Sequence, residues 1–143
     1  MLARLVSSAR VHEPRSTLLA AVFAGGCIGA VARTALARAE QVSTGALPWP
    51  TLAANVAGAA LLGYAEARLL AHPGRTTYPW RFLGTGVCGA LTTFSTFQVE
   101  LLRLAGDGHT GLAIAYGALS IAACFAVLVA ARGLTHRVRR RHA

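Results

Sequence analysis

The stretch GTGVCGALTTFSTFQVE, residues 84–100, holds the residues best suited to chemistry. Gly84, Gly86 and Gly89 lead into Thr92, Thr93, Ser95 and Thr96, so helix-weakening and hydroxyl-bearing residues crowd the middle of an otherwise apolar run. This composition predicts a broken helix. At membrane depth a break is tolerated only inside protein or beside a cavity, and the backbone carbonyls it frees can form a cation site. Phe94 and Phe97 are three apart, hence on one helical face, with the hydroxyls of Ser95 and Thr96 beside them. An aromatic ring has a positive edge as well as a negative face, so this pair could present edges to an anion. Ordinary core packing is the competing reading.

Other polar residues stand out against apolar surroundings. Asn55, in TLAANVAGAALLGY, offers amide donors inside a span of small and apolar residues; it could line a path or glue helices together. Tyr116 and Ser120, four apart, would align two hydroxyls on one helical face. GGCIGAVAR places Gly25 and Gly29 in a GxxxG pair that permits close backbone approach, and Arg33 follows one turn later as an anion-attracting mouth residue or a snorkelling end residue. Glu100 has Arg103 one turn on as a natural partner. Glu66 and Arg68 carry no assigned role.

The elements that must position these groups are long apolar runs. Of 143 residues, 55% are hydrophobic and 13% charged, about half the roughly 25% charge typical of soluble domains. Uncharged runs span residues 16–32, 41–65, 82–99 and 110–131. Each approaches the length needed to cross roughly 30 Å of hydrocarbon at about 1.5 Å per residue. The expected fold is therefore an all-α membrane protein with four transmembrane helices, the third broken at mid-membrane. Pro48 and Pro50 suit a helix start, which places the buried part of the second span from Pro50 to about Leu70. Residues 72–80, HPGRTTYPW, are expected to be an interfacial loop, and AGDGHTG a short turn that makes the last two spans antiparallel neighbours. The organisation expected is a basic segment at 1–15, a channel-sized membrane domain at 16–131 and a basic tail at 132–143.

Charge sets orientation rather than nucleic-acid binding. All fourteen basic residues are arginine and the net charge is +9. Eleven of them, Arg4, Arg10, Arg15, Arg68, Arg75, Arg81, Arg132, Arg137, Arg139, Arg140 and Arg141, fall on the side shared by both termini, against Arg33, Arg38 and Arg103 on the other. This bias predicts cytoplasmic termini in a cell membrane, with anionic lipid as neighbour. Cys27, Cys88 and Cys124 lie in different runs without CxxC spacing and read as small core residues. No catalytic triad, HExxH motif or phosphate loop is present, so no enzyme is expected. A proton-coupled exporter would need a mid-membrane acid, and the runs contain none.

Taken together, GGCIGAVAR at 25–33, NVAG at 55–58 with Gly63 following, and CGALTTFSTFQVE at 88–100 resemble the CrcB/Fluc family of fluoride-specific ion channels across essentially the whole chain. The resemblance implies an antiparallel, dual-topology dimer with two fluoride pores and a structural, non-transported sodium ion on the two-fold axis. It implies backbone carbonyls of Gly89 and Thr92 as sodium ligands, Phe94 and Phe97 as pore phenylalanines, Asn55 as the polar pore residue, and Tyr116 with Ser120 as part of a hydroxyl track. Ala90 stands where many members carry a second glycine. The chemistry agrees: fluoride is small and strongly hydrated, so a selective path must replace its water with hydrogen-bond donors and positive ring edges. The expected activity is passive export of cytoplasmic fluoride, which limits its toxicity. A chain inserting both ways needs a weak arginine bias; eleven against three predicts one orientation and an oppositely oriented homologous partner.

Overall fold

The computed structural model describes residues 14–39, 45–70 and 78–141, and among them every regular element is helical. Helix α1 runs Arg15–Ala39 and α2 runs Trp49–Ala65, followed by a π-helical turn at Glu66–Leu70. Pro48 precedes α2 and Pro50 sits in its first turn, where a missing N–H breaks no helical hydrogen bond. The third segment is built in pieces: α3 (Tyr78–Trp80), a π-helical stretch Arg81–Cys88, α4 (Gly89–Leu91) and α5 (Phe94–Gly106). Between α4 and α5 the backbone is extended, with ψ 151° at Thr92 and φ −145°, ψ 119° at Thr93. The expected break therefore falls at these two threonines. Helix α6 runs Thr110–Arg141, well past the expected end of the fourth run at 131.

One expectation needs amendment. Tyr78–Trp80, read from sequence as loop, form a helical turn continuous with the stretch that follows; residues 71–77 of that loop lie outside the described residues. The basic segment at 1–13 also lies outside them.

The turn between α5 and α6 follows from its glycine. Gly108 adopts φ 84°, the left-handed conformation that lets His109 N–H donate to the Leu104 carbonyl (2.8 Å) and Gly108 N–H to that of Ala105 (3.2 Å). This paired closure satisfies carbonyls at the end of α5 and turns α6 back alongside it.

Helices α1 and α6 contain segments of 24 and 26 residues, long and apolar enough to cross a membrane. Only 11% and 17% of their most apolar windows are buried within the chain, which a soluble core helix could not sustain. Leu19, Phe23 and Val31 of α1 and Ile114, Ile121 and Phe125 of α6 are exposed. The α-helical part of α2 is 17 residues long and the third segment is interrupted, so neither is one continuous α-helix of spanning length.

Packing follows residue size. Helix α1 lies mainly on the stretch Arg81–Cys88, and α2 mainly on α6. At Gly25 and Gly29 an added Cβ would collide with the carbonyls of Phe82 and Val87, so the GxxxG pair is what brings these backbones together. Leu52, Phe97, Leu104, Ala113 and Tyr116 form the buried cluster where α2, α5 and α6 meet.

Candidate functional site

The break at Thr92–Thr93 is held by side chains on both of its flanks. Asn55 projects from α2 and engages both polar atoms of the Thr93 backbone: its Oδ1 accepts from the Thr93 N–H at 2.8 Å, and its Nδ2 donates to the Thr93 carbonyl at 3.2 Å. Gly58, one turn further along α2, lies against Thr92, where any side chain would strike the threonine methyl. Thr93 in turn caps α5. Its Oγ1 accepts from the Thr96 N–H at 3.2 Å, as helix-starting threonines do, and lies 3.0 Å from Thr96 Oγ1 and 3.4 Å from Ser95 Oγ.

An apolar-walled groove of about 560 Å³ runs along this break. It gathers Asn55, Gly89, Thr92, Phe94, Phe97 and Ser120 on one surface. The Phe94 and Phe97 ring centroids are 6.1 Å apart and inclined by 35°. Their surroundings differ: Phe94 is 71% exposed, whereas Phe97 is 8% exposed and packs against Tyr116 at 5.3 Å. Ser120 is buried, and its hydroxyl has no hydrogen-bond partner among the described residues. A buried, unpartnered hydroxyl on a groove wall is a donor kept available at a desolvation cost. Asn55 Nδ2 carries two hydrogens, of which Thr93 takes one.

Arg33 and Thr96 lie elsewhere. With Thr34, Thr51 and Thr93 they line a second, smaller cavity of about 130 Å³. Thr93 is the one described residue that lines both spaces, so the break itself is the wall between them. Ser95 is exposed at the start of α5.

Tyr116 and Ser120 lie one turn apart on α6; Tyr116 is fully buried and donates its hydroxyl to Glu100 Oε2 at 2.7 Å, while Ser120 lines the groove. Glu100 also accepts from Thr51 Oγ1 at 2.6 Å. The expected Glu100–Arg103 pair does not form; two hydroxyls from α2 and α6 take the carboxylate instead. The ion pair found among the described residues joins Glu66 to Arg132 at 3.2 Å. Sequence reasoning missed Thr51, Glu100 and the capping role of Thr93. Two signals were available: a threonine three residues before Thr96 at a helix start, and an acid bordering an apolar run, which must find donors.

Comparison with known proteins identifies the family of the chain. Residues 20–132 match the family model described as CrcB-like protein, Camphor Resistance (CrcB). A relative from Mycobacterium bovis named fluoride-specific ion channel FluC 1 is 48% identical over 128 residues, 90% of this chain and 96% of the relative. The Deinococcus radiodurans protein named fluoride-specific ion channel FluC is 44% identical over 119 residues, covering 80% and 91%. A FluC 1 from Nocardia farcinica is 39% identical over 123 residues, covering 84% and 82%. The chain is a membrane protein and belongs to the CrcB family.

Proposed function

We propose that this chain is a subunit of a passive, fluoride-selective channel that lets cytoplasmic fluoride leave the cell. The observation that carries the reading is the groove wall where the unpartnered Ser120 hydroxyl and the remaining Asn55 amide hydrogen stand with Phe94 and Phe97. Donors and ring edges without a competing carboxylate suit a small, strongly hydrated anion, which loses its water only where such groups replace it. Arg33 and Thr96, in the smaller cavity across the break, stand at the mouth of the path as we read it, and Ser95 and Tyr116 lie outside the groove. An inside-negative potential drives anions outward by about 2.3 kcal/mol per charge per 100 mV, so export needs no coupled energy source.

The chain crosses the membrane four times in this reading. The second crossing is α2 with its π turn, and the third is the interrupted segment ending in α5. Phe94, Ile121 and Phe125, exposed at 71%, 69% and 70%, leave the groove open along an apolar face. An oppositely oriented second subunit closes it, completing an antiparallel dimer in the cell membrane. Eleven arginines against three favour cytoplasmic termini for this chain and a homologous partner inserted the other way.

A structural sodium ion completes the dimer. Gly89 and Thr92 line the groove at the break, and their carbonyls, two from each subunit, fit a hard monovalent ion.

Fluoride efflux from proteoliposomes, followed with a fluoride electrode and with chloride efflux as control, tests the reading. Fast, fluoride-selective efflux from this protein alone supports the channel and shows that it also forms homodimers. Efflux only after co-reconstitution with an oppositely oriented homologue supports the heteromer, and silence in both preparations overturns the channel.

A further inference from the structure

At Thr92 and Thr93 the helix does more than stop: its amide donors pass to two side chains. In an unbroken α-helix the Gly89 carbonyl accepts from the Thr93 N–H, and the Thr92 carbonyl from the Thr96 N–H. Neither bond forms here. The Thr93 N–H donates to Asn55 Oδ1 at 2.8 Å, and the Thr96 N–H donates to Thr93 Oγ1 at 3.2 Å. The carbonyls of Gly89, Ala90, Leu91 and Thr92 all lose their helical donors at the break, and of these residues Gly89 and Thr92 line the groove. The Cys88 carbonyl, one residue earlier, is doubly occupied by the N–H and the hydroxyl of Thr92, at 3.1 and 2.9 Å. Donors are thus doubled on the Cys88 carbonyl and withdrawn from those that follow it, with the Thr93 and Thr96 N–H groups taken by side chains.

We infer that Asn55 and Thr93 are positioning residues of the sodium site: by taking the two amide protons, they leave the Gly89 and Thr92 carbonyls free for the cation. This rests on the sodium reading above and extends it to residues two elements apart. A carbonyl already accepting an N–H has part of its electron density committed and its approach obstructed, so diverting the donor strengthens it as a ligand. The surroundings agree. An added Cβ at Gly89 would meet nothing within 4 Å, so the flank of that residue is open, while Gly58 lets Thr92 settle against α2. Asn55 is also explained: its amide replaces a peptide unit on both sides of Thr93, satisfying a polar group that would be costly in an apolar span. Asn55 therefore acts on the cation as well as on the anion path.

The test is thermal unfolding of the purified full-length dimer in detergent as a function of sodium, with ionic strength held constant by choline. The wild-type protein should show a saturable rise in Tm. Asn55→Ala and Thr93→Val each remove the acceptor that diverts one amide proton, and each should need about two- to ten-fold more sodium for half the rise, the scale of one hydrogen bond gained or lost. Excess sodium should then restore the full increment. A lower Tm at every sodium concentration with an unmoved midpoint would be a plain packing defect and overturns the inference. Thr93→Val preserves side-chain shape, so it decides alone if Asn55→Ala does not fold. A wild-type protein indifferent to sodium overturns the sodium reading and this inference together, whereas a responsive wild type with unshifted variants overturns only the inference.

Discussion

The two halves of the interrupted segment are held in different ways. Before the break, the stretch Arg81–Cys88 meets α1 backbone to backbone: Gly25 and Gly29 face main-chain atoms of residues 82–91, and Gly86 faces the carbonyl of Val22. After the break, α5 is held by side chains. Phe97 and Leu104 enter the cluster with Tyr116 and Leu52, and Glu100 collects hydroxyls from α2 and α6. Side chains can change rotamer to accommodate a substitution; two apposed backbones cannot. The break therefore joins a rigid abutment to an adjustable one.

The contrast breaks most severely on the rigid side. Gly29→Val would drive a branched side chain into the Val87 carbonyl and the Leu91 amide, neither of which can move without shifting a helix. Overpacking costs about 1–3 kcal/mol where neighbours can relax, and more is expected where they are main chain. Loss of the folded dimer on size-exclusion chromatography is the expected result. A Gly29→Val protein with wild-type yield and Tm would show that the two abutments are equally soft.

On the adjustable side, the two phenylalanines sharpen the comparison because burial separates them. Phe97 is packed within the subunit and Phe94 lies on the face that the second subunit closes, so Phe97→Ala should lower Tm in every preparation, while Phe94→Ala should lower it only as far as it weakens the dimer. Truncating a buried phenylalanine costs about 3–5 kcal/mol in water-soluble cores; the figure shrinks in a bilayer, where lipid replaces part of the lost contact. Both variants should lose fluoride efflux. Efflux retained by Phe94→Ala would separate the exposed ring from the ion path.

A smaller effect is expected at the hydroxyl cluster. Tyr116→Phe removes one donor to Glu100 and leaves Thr51, with no change in the ring that packs on Phe97. Interhelical hydrogen bonds in membranes average about 0.6 kcal/mol and reach about 1.7. A loss in that range, measured by reversible unfolding in detergent, would place Tyr116 in the structural half of the comparison. Lost efflux at unchanged stability would move it to the ion path.

What was legible in the sequence divides along the same line. The break, the close approach at Gly25 and Gly29 and the prolines opening α2 follow from local backbone chemistry, and each lies where the residue types put it. The glue reading of Asn55 was open from the start, but its partner Thr93 is 38 residues away, and only helix register brings them together. Tyr116 and Ser120 share a face by spacing, yet the path of α5 sends one to Glu100 and the other to the groove. Glu100 has a plausible local partner in Arg103; two buried hydroxyls on neighbouring helices prevailed because an arginine near a helix end can reach water instead. Local propensity is written in the chain, and the choice among polar partners is made by packing.

The smallest expected effect lies at the other end of the molecule. Glu66 and Arg132 meet at 3.2 Å where the π turn of α2 passes α6, with side chains 33% and 53% exposed. Exposure on this scale lets water and salt screen the pair, which limits Glu66→Gln to at most about 1 kcal/mol. Choline chloride is the right screening salt, since sodium would also load the proposed cation site. The difference in Tm between wild type and Glu66→Gln should fade as choline chloride rises. A large difference that survives high salt would mean that the π turn depends on this pair, giving α2 a third kind of anchorage beside backbone contact and side-chain packing.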